Sequence, residues 1–485
     1  MANTEGKSIF SNLIWRFLER FGAQLVALIV SVVLARILDP DVYGTIALVT
    51  VITTILQVFV DSGLGVSLIQ KKDADNLDFS SVFYFNIVMC LFLYVLVFAL
   101  APAIASFYNR PDLVPVIRVL SLTIVISGVK NVQEAYVSRN MLFKKFFFAT
   151  LGGTIGAAII GILMALKGAG VWALVAQHLF NLFVDTIILW VTVNWRPIKA
   201  FSFERLKGLL SFGWKLLACS LVDSVYNNIR QLIIGKKYTT SDLAFYNKSE
   251  QLTYFLMGNV NSAINSVMLP ALSKKQDSID ELRLMMRKAI RVGVYCIAPM
   301  LLGFSACADS FIKIVLTEKW MPCVPYIRLF CITYIFYPVA STNISAYKAI
   351  GKSDFYLKID IIQKIVGFVV LLCSMWFGPL IMAYSLLIVS IVNFFVRGHY
   401  NRVLFNYMIK QQISDLCLNA LPAVLMFGLV YTLNFLPLGS WVTLIVQIAV
   451  GIAFYLAVSH LFKIYAFLYM KEIVFSHFLR KESSK

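Results

Sequence analysis

Five basic side chains fall on polar stripes of otherwise apolar segments: Arg16 and Arg20 one turn apart, then Lys215, Arg230 and Lys248. In an apolar setting these groups hold phosphate or pyrophosphate, arginine as a bidentate fork and lysine as a point charge. Amides and carboxylates accompany them at helical spacing. Gln24 extends the Arg16, Arg20 line, with Glu19 beside it; Asp223, Asn227, Arg230 and Gln231 form a second line. Thr50, Thr53, Thr54, Gln57 and Asp61 make a third, and Asn247, Lys248, Glu250, Gln251, Tyr254, Asn259, Asn261, Ser262 and Asn265 a fourth. Unpartnered polar groups in hydrocarbon cost several kcal/mol, so the stripes must face water, ligand or one another. They predict a wide hydrated cavity with a positive lining. Arg16, Arg20, Gln24, Lys215, Asn227, Arg230, Lys248, Gln251 and Asn259 are the candidate binding residues, and Asp61, Glu19, Asp223, Lys130 and Glu134 the candidates for coupling or gating.

Each assignment has a plainer competitor. Arg16 and Arg20 precede the apolar stretch from Leu25 to Ala35, where long basic side chains snorkel to an interface. The stripe from Asp223 to Arg230 also reads as an interhelical hydrogen-bond cluster, and Lys248 with Glu250 as solvent-exposed residues near a helix end. Lys130 and Glu134, at i and i+4, read equally as a buried structural ion pair, Asp360 and Lys364 as interface residues, and Asp61, ahead of Gly63 and Gly65, as a cap or hinge. The small residues Gly152, Gly153, Gly156, Ala157 and Gly161 read as a close helix-packing face.

The elements that must position these residues are membrane helices. Of 485 residues 60% are hydrophobic and 14% charged, with a mean hydropathy of +0.80, which excludes an ordinary soluble domain. A span needs roughly 20 apolar residues. About fourteen such runs are present, near Phe10 to Arg36, Tyr43 to Leu68, Phe79 to Ser106, Val114 to Ser138, Phe146 to Lys167, Val171 to Val193 and Leu209 to Gly235. The others lie near Leu243 to Leu272, Ala289 to Leu316, Pro322 to Ala349, Phe355 to Phe377, Pro379 to Val403, Ile413 to Phe435 and Trp441 to Phe467. The first run lacks a small-residue cleavage site and is expected to be retained. Eight cysteines, with no Cys-x-x-Cys pair, read as small core residues.

Basic residues alternate along the connections. Lys71 and Lys72, Arg139 to Lys145, Arg196 to Lys207, Lys274 to Arg291, Lys352 with Lys358, and Arg402 with Lys410 fall on one side, and the intervening loops carry few. Because cytoplasmic loops are enriched in Lys and Arg, both termini are expected in the cytoplasm. Much of the net charge of +18 is then a topological signal and an attraction to anionic lipid, with no nucleic-acid partner implied.

The chain also repeats itself at about 200 to 212 residues, a period suited to two six-helix halves. Trp15-Arg16 answers Trp214-Lys215, Val114-Pro115-Val116-Ile117-Arg118 answers Val324-Pro325-Tyr326-Ile327-Arg328, and Ala135-Tyr136 answers Ala346-Tyr347. The expected architecture is all-α: a half over residues 1–207, a pseudo-symmetric half over 208–412, and two further helices with a cytoplasmic tail over 413–485.

The stretch Leu34-Ala35-Arg36-Ile37-Leu38-Asp39-Pro40-Asp41-Val42-Tyr43-Gly44, followed by Asp61-Ser62-Gly63-Leu64-Gly65, resembles the first hairpin of a known family. It is similar to the Wzx-like polysaccharide exporters and oligosaccharide-lipid flippases of the multidrug/oligosaccharidyl-lipid/polysaccharide superfamily, the teichuronic and colanic acid type above all. The resemblance covers most of Ile9 to about Arg402 and is weakest in the last two helices. It implies a bacterial inner-membrane transporter that moves undecaprenyl-pyrophosphate-linked oligosaccharide to the outer leaflet by alternating access. Pathway partners such as a polysaccharide polymerase and a chain-length regulator are implied with it, beside the membrane lipids themselves. The stretch Gly235-Lys236-Lys237-Tyr238-Thr239-Thr240-Ser241-Asp242 departs from the glycine-containing turn expected before the eighth helix.

Enzyme chemistry finds no support in the residues. Gly351-Lys352-Ser353 resembles the end of a phosphate-binding loop, but Ala346 stands where the leading glycine is required. The four histidines form no metal or hydrolase motif, and no cofactor is implied. Asn247-Lys248-Ser249 matches a glycosylation triplet beside a predicted span, irrelevant on a bacterial reading. Two rival functions remain open. A cation-coupled multidrug antiporter of the same superfamily usually has twelve helices and an acidic cavity, and a membrane polymerase or ligase should carry a long external loop.

Overall fold

The computed structural model describes residues 22–61 and 63–472, so Arg16, Glu19 and Arg20 lie outside the described residues. No strand occurs among them. The order begins α1 (Gly22–Ile37), α2 (Pro40–Asp61), α3 (Leu64–Gln70), α4 (Asn76–Phe107), α5 (Leu113–Leu120), α6 (Leu122–Arg139), α7 (Phe143–Leu166), α8 (Val171–Thr192) and α9 (Phe203–Lys237). It continues through α10 (Thr240–Ser273), α11 (Ile279–Val315), α12 (Cys323–Tyr334), α13 (Tyr337–Ala349), α14 (Ser353–Ser374), α15 (Pro379–Phe405), α16 (Ile409–Thr432) and α17 (Ser440–Leu461). Ten spans are long and apolar enough to cross a bilayer, taking α2 with α3, α5 with α6 and α12 with α13 as single spans, and bent α9 would make eleven. The expected fourteen is not reached on that ground. Among those that fall short, α1 is short over its described residues, and α10 carries the most polar stripe in the chain.

Local chemistry explains the helix ends. Pro40 opens α2 with a φ already suited to a first turn. Asp75 caps α4: its Oδ1 accepts the N–H groups of Leu77 at 3.1 Å and Asp78 at 3.0 Å, while Asp78 Oδ2 accepts the Asp75 N–H at 3.1 Å. The α9–α10 connection, which lacks the expected glycine turn, is held instead by Thr239 and Asp242. The Thr239 hydroxyl donates to Asp242 Oδ2 at 2.7 Å and accepts the Asp242 N–H at 3.1 Å.

By proximity the chain divides into two compact units at Ala244/Phe245. The repeat boundary at 207/208 marks a symmetry of sequence, whereas this division marks contact, so the two address different properties. The first unit is organised by close helix approaches. An added Cβ on Gly153 would stand 2.8 Å from the Asn181 carbonyl oxygen and one on Gly156 2.7 Å from the Phe180 ring, so the small-residue face of α7 packs on α8. An aromatic core of Phe79, Phe83, Tyr136 and Trp195 closes one end of this unit.

The second unit is built around α11, whose buried face from Leu282 through Met286, Ile290, Val294 and Ala298 meets α12, α13, α16 and α17. In each unit the matched Val-Pro-x-Ile-Arg segment begins a short helix that breaks and resumes, α5 into α6 and α12 into α13. The cysteines differ from expectation. All eight are free, and Cys90, Cys307, Cys323 and Cys331 are buried, but Cys219, Cys373 and Cys417 are exposed, since a small apolar side chain is equally at home facing hydrocarbon.

Candidate functional site

In the first unit the Asp39-Pro40-Asp41 stretch sets the start of α2 against the start of α10. The Thr240 hydroxyl bonds the Asp41 carboxylate, and Arg110 reaches Thr240 Oγ1 and Thr45 Oγ1, each at 3.3 Å, while clasping Asp112 at 2.8 Å. Gly44 is required here: a Cβ would lie 1.8 Å from the Thr240 carbonyl oxygen.

From this end α2 runs antiparallel along α9, with Gly235 against Leu48 and, further on, Gly63 against Gly213. Gly63 has φ +67° and separates α2 from α3, while α9 bends by 49° between its 203–211 and 213–237 parts. The break in one helix therefore meets the bend in the other.

Beside this junction lies a polar cluster inside the apolar helices. Lys130 Nζ is 2.7 Å from Glu134 Oε1 and 2.7 Å from Asp185 Oδ2, and the Asn131 amide donates to Asp61 Oδ1 at 3.2 Å. Asn86 on α4 donates to Asn131 at 3.5 Å. The structure thus brings Asp61, Lys130 and Glu134 together, and adds Asp185, whose Oδ1 is buried without a hydrogen-bond partner. Three carboxylates meet one ammonium, a balance that favours uptake of a proton or another cation. Asp185 was legible as the sole acid of the run from Val171 to Val193 but was passed over. Asp61 does not cap α3, whose N-cap Gly63 offers no side chain; it takes the Asn131 amide instead.

The α9 stripe divides. Lys215, Asp223 and Asn227 are exposed on the unit, as is Gln24 on α1. Arg230 is only 5% exposed and shares a face with fully buried Ile234; its Nε and Nη2 have no hydrogen-bond partner among the described residues. A guanidinium can offer such donors to an anion.

In the second unit the α10 stripe is partly consumed by its own fold. Asn261 Oδ1 accepts from Ser341 at 2.8 Å, Asn259 donates to the Phe255 carbonyl at 3.0 Å, and Tyr334 donates to Glu250 at 3.4 Å. Lys248 is 4% exposed with Nζ 5.9 Å from the Trp320 ring centre, which overturns its reading as a solvent-exposed residue. Gln251 is exposed. Asp360 and Lys364 form an ion pair at 2.7 Å.

The family described as polysaccharide biosynthesis protein matches residues 33–325. The teichuronic acid biosynthesis protein TuaB of Bacillus subtilis strain 168 is 26% identical over 424 residues, 83% of this chain and 85% of that protein. The lipopolysaccharide biosynthesis protein WzxC of Escherichia coli strain K12 is 24% identical over 376 residues, 76% of this chain and 75% of that one. Among solved structures, the lipid II flippase MurJ in an inward closed conformation superposes with a TM-score of 0.76 at 14% identity, over 93% of this chain and 98% of that one, which shows a common fold.

Proposed function

The chain belongs to the polysaccharide biosynthesis protein family, and from that membership we propose that it moves a polyprenyl-pyrophosphate-linked oligosaccharide across the bacterial cytoplasmic membrane by alternating access. Its product serves assembly of a cell-surface polysaccharide. The names of its relatives, one for teichuronic acid and one for lipopolysaccharide, support that substrate class.

At the level of residues the reading is carried by Arg230, a buried guanidinium with two free donors on a helix that also bears exposed Lys215. Pyrophosphate offers the oxygen geometry that such donors take. Arg16, Arg20, Gln24, Asn227, Lys248, Gln251 and Asn259 complete the proposed lining, the amides toward sugar hydroxyls. The repeat halves over 1–207 and 208–412 act as the alternating bodies, with 413–485 appended. Asp61, Lys130 and Glu134, joined by Asp185, serve coupling, and Glu19 and Asp223 serve gating. Both termini lie in the cytoplasm, a reading that the distribution of basic loops supports. A polymerase and a chain-length regulator act downstream.

The test is lipid flipping in proteoliposomes containing the purified chain, with a pyrophosphate-linked polyprenyl oligosaccharide beside a lipid lacking the pyrophosphate. Movement dependent on pyrophosphate supports the proposal. Efflux of small organic cations without lipid movement replaces it with the antiporter reading. Charge reversal at Arg16 together with Lys215 is expected to abolish movement while leaving membrane insertion intact.

A further inference from the structure

One end of the second unit holds a cleft of about 480 Å³ lined by Arg283, Leu284, Arg287, Arg402, Met408 and Gln411, with Asn406 at its edge. Its cations are arranged by a buried carboxylate. Asp415, 1% exposed on α16, accepts Arg287 Nε at 2.8 Å, Arg291 Nε at 2.7 Å and the Tyr407 hydroxyl at 2.7 Å. One aspartate therefore pins two guanidiniums, and Arg287 keeps Nη1 without a hydrogen-bond partner among the described residues. Arg283 pairs with exposed Asp280 at 2.7 Å, and Arg402 has no ion-pair or hydrogen-bond partner among the described residues. Three lining arginines, with Arg291 outside the lining, thus meet Asp280 and Asp415.

The comparable cleft of the first unit, about 380 Å³ beside Lys71 and Arg205, differs. There the two cations are matched by Asp78 and Asp75, at 2.7 and 2.5 Å. Basic residues at a helix end are common in membrane proteins and by themselves specify nothing. Uncompensated positive charge in a concave site does select an anion.

Two further lining residues decide which anion. Leu284 and Met408 are 60% and 57% exposed, and Val403 beside Arg402 is 61% exposed. Apolar side chains left open next to guanidiniums suit a molecule with a charged head and a hydrocarbon body. A soluble phosphate would leave them in water.

We infer that this cleft binds the phosphate headgroup of an anionic glycerophospholipid where α16 joins α11 and α15. On the proposed orientation this is the cytoplasmic leaflet. The two appended helices are then held to the second unit by Asp415 from within and by a lipid phosphate from outside.

The experiment measures thermal melting of the full-length protein in a neutral detergent with added phosphatidylglycerol, phosphatidylcholine, inorganic phosphate or polyprenyl pyrophosphate. Phosphatidylglycerol is expected to raise the Tm by several degrees, and phosphatidylcholine and inorganic phosphate to leave it unchanged. The double variant Arg283→Gln/Arg402→Gln is expected to lose at least half of the shift while melting normally without lipid. Should the double variant fail to fold, Arg402→Gln carries the test, because Arg402 has no partner among the described residues to lose. An undiminished shift in the variant overturns the site. So does an equal shift from inorganic phosphate, or displacement of phosphatidylglycerol by polyprenyl pyrophosphate, which would assign the cleft to the transported lipid. None of these readouts requires transport.

Discussion

Lys130 Nζ lies 2.7 Å from Asp185 Oδ2, a contact that ties α6 to α8 within the first unit. Lys130 is 15% exposed and Asp185 8%, so the pair has left water, and removing one partner strands the other. Breaking a buried pair costs about 3–5 kcal/mol, whereas replacing both partners by apolar groups is often neutral. Lys130→Met is therefore expected to melt well below the wild type, and Lys130→Met/Asp185→Leu to recover most of the loss. Glu134, 40% exposed, adds little to stability, and Glu134→Gln should cost under about 1 kcal/mol. Melting curves of the four proteins in one detergent check this. A Glu134→Gln protein that is stable yet inactive in flipping would separate coupling from structure.

Within one stretch, Gly44 to Gly65, the glycines should behave differently. A Cβ at Gly44 meets the Thr240 backbone at 1.8 Å, so α2 and α10 must separate before alanine fits. A Cβ at Gly65 meets the Asn131 side chain at 3.4 Å and the Ala135 Cβ at 4.0 Å, ordinary contacts. Gly44→Ala is expected to cost about 1–3 kcal/mol or more, while Gly65→Ala stays near wild type. Yield of monodisperse protein and Tm distinguish the two.

Hydropathy was enough to find α4, α7, α8 and α15, which fall where the long apolar runs demanded by lipid contact do. It was blind to the breaks at Gly63, between α5 and α6 and between α12 and α13, because a chain can kink without any change in apolarity. The α7 packing face was legible, since small residues at helical spacing have few other uses. Sites were less legible. Lys130 and Glu134 showed themselves through i, i+4 spacing, but Asp185 joins them from 51 to 55 positions away. Asp415 meets Arg287 and Arg291 across 128 and 124 positions, a relation no local pattern carries.

The cap of α4 gives a pH prediction. The backbone N–H of Asp78, and next the Arg205 guanidinium, hold the Asp75 carboxyl below the usual carboxylate range. A depressed folded-state value means that the stabilisation is complete above the unfolded-state value of about 3.9 and is lost as pH falls through the lower folded value. Between pH 6 and 8 the contribution is constant. Asp75→Asn should keep part of the cap and lose the acid-side dependence, and Asp75→Ala should cost about 1 kcal/mol at neutral pH. Melting from pH 3 to 8 compares the three proteins.

Arg230 offers a separation of binding from folding. Its Nε and Nη2 bond no group among the described residues, so truncating them removes no hydrogen bond seen there. Burying the charge has a cost that Arg230→Gln relieves, and the variant is expected to melt at or above the wild-type temperature. If the guanidinium meets the phosphates of the transported lipid, the same variant loses a charge-assisted contact worth about 1.5–3 kcal/mol, a fall of roughly tenfold or more in flipping. Arg230→Lys keeps the charge without the fork and should fall between. The readout is the initial flipping rate against lipid concentration, alongside the Tm. A stable Arg230→Gln protein that flips at the wild-type rate removes Arg230 from the substrate path and leaves it a desolvated structural charge.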